Sequence, residues 1–228
     1  MATNRGPVFL IGGGPGSRGD TYAPLLRSIL GLAGKPRPLV AYLGAATDDE
    51  ARFAGFMERL VTSAGDCSFR LAPVVGRRAA RGAARAVIAE ADLVFLGGGD
   101  VELGMRRLEE RELCEVLRQK HAAGAPFLGV SAGAILLAQR WIRWEDPEDD
   151  GSAALFDCLG IAPLLCDCHG EEDAWTELEA LLRLAGEGSL GHGIRSGAAL
   201  RVAGGEPEVV CGKVDRRAMR RGRVVPRG

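Results

Sequence analysis

Short, wholly apolar runs recur along this 228-residue chain, and most are followed by a stretch with helical spacing. Val8–Ile11, Leu39–Leu43, Leu93–Leu96 and Phe127–Val130 are the clearest, with Ser68–Ala72 a weaker member of the set. A strand that alternates polar and apolar residues can leave one face in water, whereas a strand with no polar residue must be covered on both faces. Covering both faces requires helices between successive strands, and hence parallel crossovers. The pattern predicts a single α/β domain over residues 1–228, with a mainly parallel sheet flanked by helices. Helices are expected over Tyr22–Ala33, from a cap at Asp48 or Asp49 through Ala64, and over Arg78–Ala91, Val101–Ala123 and Ala174–Leu184. Ile161–Leu165 reads as a further strand. Ala198–Val225 reads as a C-terminal β-hairpin region around Gly204-Gly205-Glu206-Pro207, and the acidic Glu145–Gly151 as a solvated connector.

Charge excludes more than it proposes. The formal net charge is −1, which gives no electrostatic argument for nucleic acid or a membrane as partner. The cluster Arg216, Arg217, Arg220, Arg221 and Arg223 lacks interleaved aromatic residues, so it reads as a charged hairpin surface rather than an RNA-binding arm. No apolar stretch is long enough for a signal-peptide core or a bilayer span, which leads to the expectation of a cytoplasmic protein with reduced cysteines. Cys166-x-Cys168-His169, with Cys158, Cys211 and His192 as conceivable further ligands, lacks the second paired motif of a structural zinc site. Small buried thiols are the simpler reading, and no metal or cofactor is expected.

Three glycine-rich turns follow predicted strands. Gly12-Gly13-Gly14-Pro15-Gly16 resembles a dinucleotide loop, but Ser17 stands where the third motif glycine belongs. The next strand ends in Gly44-Ala45-Ala46 rather than a ribose-binding acid, so a nucleotide site is not expected. Gly97-Gly98-Gly99-Asp100 and Gly129-Val130-Ser131-Ala132-Gly133 sit at strand carboxyl ends, where open parallel sheets bind ligands. The second of these is a G-x-S-x-G nucleophile-elbow pattern, in which small neighbours let a strained turn lift a serine hydroxyl clear of the sheet. The Ala132 amide, with one from Gly98 or Gly99, is then placed to hold an oxyanion.

These turns are followed by Asp167-x-His169 and by Gly191-His192-Gly193-Ile194 before Ala198-Ala199-Leu200. Together, from Val8 to about Val210, they resemble the dipeptidase E (aspartyl dipeptidase) and cyanophycinase family of serine peptidases. The resemblance implies a class I glutamine amidotransferase-like (flavodoxin-like) fold. It implies Ser131 as nucleophile, His169 as general base, an oxyanion hole from Gly98, Gly99 and Ala132, and short peptides cleaved next to aspartate as substrates. Asp100, Asp167 and Arg18 are candidate substrate contacts, Asp167 from sharing the strand face of His169 and Arg18 from its position in the first glycine loop, with Arg140 or Arg143 as other candidate cations. Members occur as monomers or homodimers.

Two departures stand out. Ser196 occupies the position of the family's triad acid, with Arg195 beside it, and losing that acid can cost about ten-thousandfold in turnover. Glu171, Glu172, Asp173 or Asp167 are nearby substitutes, and Ser196→Asp or Ser196→Glu should raise activity if the register is right. Gly170 replaces the aromatic residue that follows the family histidine, which points to an altered substrate pocket. Two alternatives remain open: a pseudopeptidase that binds a peptide or metabolite, and an α/β-hydrolase-type esterase with His192 as base and Asp157 or Asp167 as acid.

Overall fold

The computed structural model describes residues 5–14, 19–80, 82–146 and 152–227. The apolar runs become strands β1 (Val8–Ile11), β2 (Leu39–Leu43), β3 (Ser68–Leu71), β4 (Leu93–Leu96) and β5 (Phe127–Val130). They lie parallel in the order β1-β5-β4-β2-β3. Between them run helices α1 (Gly19–Gly31), α2 (Ala51–Thr62), α3 (Gly76–Ala80), α4 (Ala83–Glu90), α5 (Val101–Glu110) and α6 (Cys114–Ala122), with α7 (Ala132–Leu137) leaving β5.

Side chains alternate between two cores, as the period of a strand requires. Phe9, Ile11, Val40, Tyr42, Phe95 and Leu128 face α1 and α2. Leu10, Ala41, Leu43, Val94, Leu96 and Phe127 face the other helix layer, where Ile88, Leu108, Leu117 and Leu136 complete the packing. The edge strand β3 is only half-buried, consistent with its mixed sequence.

Beyond α7 the chain forms a hairpin of β6 (Arg140–Trp144) and β7 (Ala153–Asp157), then β8 (Leu165–Cys168), α8 (Thr176–Ala185) and β9 (Leu190–Ile194). β10 (Ala199–Val202) pairs antiparallel with β1, and β11 (Glu208–Cys211) extends that edge to complete a seven-stranded main sheet. β12 (Val214–Arg220) and β13 (Arg223–Arg227) join β9 and β8 in a smaller sheet ordered β13-β12-β9-β8. The expected C-terminal hairpins are therefore present, but divided between two sheets. No helix among the described residues is long and apolar enough to cross a membrane.

Several boundaries differ from the sequence expectation. Glu50, not Asp48 or Asp49, caps α2 by accepting the Arg52 and Phe53 amides, while Asp49 turns back to accept those of Val74 and Val75. The segment Val101–Ala123 is two helices, parted where Glu112 takes a left-handed φ of 53°. Arg78–Ala91 is likewise broken, at Gly82 (φ 72°). Ile161–Leu164 is a bend with only Pro163 exposed, and the strand begins at Leu165. In the acidic connector, Glu145 and Asp146 begin the loop that joins the unforeseen strands β6 and β7, and residues 147–151 lie outside the described residues.

Candidate active site

Ser131 sits on the one-residue turn between β5 and α7, with φ 55° and ψ −124°. A non-glycine residue there is strained, and surrounding structure must hold it. The hold is visible in the glycines. A methyl on Gly129 would strike the Gly133 carbonyl, and one on Gly133 would strike the Leu96 carbonyl, so α7 can descend onto β4 and β5 only with both side chains missing. Gly98 lies against the Ser131 Cβ, which would be 3.2 Å from a methyl at that position. The amides of Gly98, Gly99 and Ala132 donate to no acceptor among the described residues. They surround the serine as unused donors, the arrangement an oxyanion requires.

His169 approaches from the small sheet. It follows β8 directly, with φ 48°, and its amide donates to the Ile194 carbonyl of β9 at 2.9 Å. This brings Nε2 to 2.8 Å from the Ser131 hydroxyl, the geometry for that hydroxyl to donate to a neutral imidazole. The neighbouring strand β9 owes its glycines to α8. A methyl on Gly191 would meet Leu178, and one on Gly193 would meet the Trp175 indole. His192, between them, is 2% exposed, and its Nδ1 lies 3.3 Å from the Leu165 carbonyl, away from Ser131. The esterase arrangement with His192 as base therefore has no geometric support.

Ser196 arrives at the expected place but does not carry the expected contact. A methyl on Gly14 would collide with both the Ser196 hydroxyl and the His169 Cβ, so the two residues are neighbours. The partner of Ser196 is Glu171, which accepts the Ser196 amide at 2.9 Å and also engages its hydroxyl. Although burial opposes ionisation of Glu171, these hydrogen bonds and the nearby Arg195 hold its carboxyl below the usual range. Glu171 Oε2 is buried with no hydrogen-bond partner. Among the described residues, no carboxylate hydrogen-bonds to His169. A carboxylate thus reaches the Ser196 position from a different segment, one residue removed from the imidazole.

The remaining candidates divide. Asp167 is buried at the floor of a cleft of about 440 Å³ that also contains Ser131 and His169. Burial first, then the charge of Glu177, pushes its carboxyl up to about 7. Glu177, from the first turn of α8, is raised as well, again chiefly by burial; nothing in its sequence context marks it. Asp100 stands at the cleft rim but caps α5 by accepting the Leu103 amide at 2.7 Å. Arg143 lines the same cleft. Arg140 instead pairs with Asp157, and Arg18 lies outside the described residues. Gly170 is explained by crowding, since a methyl there would meet Asp167, Trp175 and Asp173. Cys166 and Cys168 are buried in β8, and burial drives both thiols upward in pKa.

Comparison with known proteins fits this geometry. The fold is similar to the crystal structure of a peptidase from an acI-B1 Actinobacterium, with a TM-score of 0.71 at 20% identity over 95% of this chain and 91% of that one. The pyridoxal 5'-phosphate synthase subunit PdxT of Geobacillus stearothermophilus is 30% identical over 107 residues, 46% of this chain and 50% of that protein. Peptidase E of Haemophilus influenzae is 38% identical over 50 residues, 22% of this chain and 23% of that protein. The chain thus spans half or less of the length of these curated relatives. The model of peptidase family S51 matches residues 8–210, nearly the whole chain including every site element described above, and the protein belongs to that family.

Proposed function

We infer that this protein is a serine peptidase acting on short peptides or related amides through an acyl-enzyme on Ser131. The observation that carries the reading is the 2.8 Å contact between Ser131 Oγ and His169 Nε2 beside unused backbone amides. In this mechanism Oγ attacks the scissile carbonyl carbon as His169 Nε2 takes its proton. The tetrahedral oxyanion is held by the Ala132 amide and that of Gly98 or Gly99. Collapse breaks the C–N bond, and His169 returns the proton to the leaving amine. Water, deprotonated by His169, then attacks the ester, releasing the acid and restoring the serine hydroxyl.

A slower enzyme is expected, because no carboxylate among the described residues bonds to the imidazole to fix its tautomer. The aspartate preference and the dipeptidase mode that the resemblance implies are separate expectations. Arg143 is the cation among the described residues of the cleft, and it stands with Asp100, Glu102, Asp167 and Glu177.

The test is intact-mass labelling by a fluorophosphonate, alongside Ser131→Ala, His169→Ala and His192→Ala. The expected result is labelling of wild type and the His192 variant, and none of the other two. A folded wild type that stays unlabelled would replace the enzyme reading with the pseudopeptidase one.

A further inference from the structure

A second cavity adjoins the acidic cleft and shares Ser131 and Gly99 with it. It measures about 490 Å³, within the range of small-molecule sites, and Ser131, Gly98 and Gly99 form part of its wall. Its other wall is the face of α2, where Phe53, Phe56, Met57 and Leu60 follow helical spacing, and Tyr22 and Val130 add to its apolar surface. Phe53 reaches the oxyanion turn itself: its ring tip would lie 3.6 Å from a methyl on Gly98. Phe56 is 51% exposed, so its ring is open to a group bound in the cavity. Among the described residues no carboxylate lines this cavity, and the exposed Arg59 is the one charged side chain in its wall.

We propose that this cavity is the subsite for an apolar side chain on the substrate residue that contributes the scissile carbonyl. The proposal rests on the acyl-enzyme reading above and adds the substrate class. Orientation follows from the position of the base. The leaving amine must lie on the His169 side, because His169 returns its proton there. His169 lines the acidic cleft and is absent from the apolar cavity, so the acyl portion faces Phe53 and Phe56. Covering Phe56 and Leu60 with substrate removes apolar surface from water, whereas an aspartate side chain there would lose hydration, with Arg59 alone among the described lining residues to answer it. The chain thereby prefers leucine- or phenylalanine-like acyl residues over aspartate.

The experiment compares the rates at which two fluorophosphonates label Ser131, one carrying a decyl chain on phosphorus and the other an ethylene glycol chain of matched length. The decyl probe should react at least about tenfold faster with wild type, the scale of discrimination an apolar pocket supplies. Phe56→Asp and Leu60→Ser should shrink that ratio to roughly threefold or less, while Leu32→Asp, an exposed apolar residue at the end of α1, should preserve it. Peptides differing only in the acyl residue should give at least about tenfold higher kcat/KM with Leu or Phe than with Asp. Equal labelling by both probes, or a preference for Asp, overturns the subsite while leaving the activated serine standing. Collapse of the ratio in Leu32→Asp would show general adhesion of the decyl chain and also overturn it. Absence of labelling by either probe removes the acyl-enzyme reading, and the subsite with it.

Discussion

Ser131 and His169 reach their 2.8 Å contact from two different kinds of architecture. The serine side is built of backbone: a left-handed turn, three free amides, and glycines packed against carbonyl oxygens at Gly129 and Gly133. The histidine side is built of side chains drawn from separate segments, with Glu171 reaching Ser196 across 25 residues and Asp167 facing Glu177 of α8. Backbone construction demands particular residues at fixed spacings. Side-chain construction demands only that some suitable group arrive from somewhere. The first kind tolerates no substitution; the second should tolerate exchange.

Variants can break or sharpen that contrast. The largest effect belongs to the contact itself: Ser131→Ala or His169→Ala should each lower kcat at least about a thousandfold in peptide hydrolysis. Next comes the backbone side. Gly133→Ala places a methyl against the Leu96 carbonyl, with main chain on both sides and little room to relax. It should cost about 3 kcal/mol and lower Tm by roughly 6–12 °C in calorimetry. A melting point within a degree of wild type would show that the turn is softer than its packing implies.

On the side-chain half, effects should depend on conditions. Asp167 ionises at about 7 in the folded chain against an ordinary 3.8. Between those values the folded chain keeps a proton that the unfolded chain has released, so stability falls as pH rises through the window. Asp167→Asn removes that fall and should gain about 4 kcal/mol relative to wild type between pH 4 and pH 8, read by urea denaturation. A constant difference across that range would mean that Asp167 is not held protonated. The smallest effect concerns exchange of the acid. Glu171→Gln should lower kcat about tenfold, and adding Ser196→Asp to it should restore most of the loss. Ser196→Asp alone should not raise activity, because Glu171 already occupies the position and a second carboxylate would repel it. If the double variant is no better than Glu171→Gln, neither position orients His169.

The same division explains what the sequence made legible. β1, β2, β4 and β5 begin and end where their apolar runs do, because burial on both faces leaves an unbroken signal. Ser131 was equally plain, since its turn must be surrounded by glycine and alanine. Motif spacing brings Ser196 beside His169, but gives no sign that the carboxylate of Glu171 bonds to Ser196 there. How far a side chain reaches, and which way, is not encoded in motif spacing. The break in Val101–Ala123 carried no glycine or proline to announce it, only Glu112 in an unfavourable conformation. β9 and the β6–β7 hairpin escaped notice for another reason. Gly191 and Gly193 fit under Leu178 and Trp175, a requirement of packing that looks like a loop when read in one dimension.

One arrangement has a mechanical consequence. Ser131 is fixed to the main sheet and His169 to the small one, so their contact bridges the seam between two separately hydrogen-bonded sheets, which one core spans through Leu10, Cys166, Leu178 and Ile194. A displacement of about 1 Å along that seam is enough to uncouple a catalytic pair, whereas exposing either core requires a much larger opening. Heat should therefore silence this protein before it melts. In that interval each sheet remains folded, both residues are present, and catalysis fails because the two halves have slipped out of step.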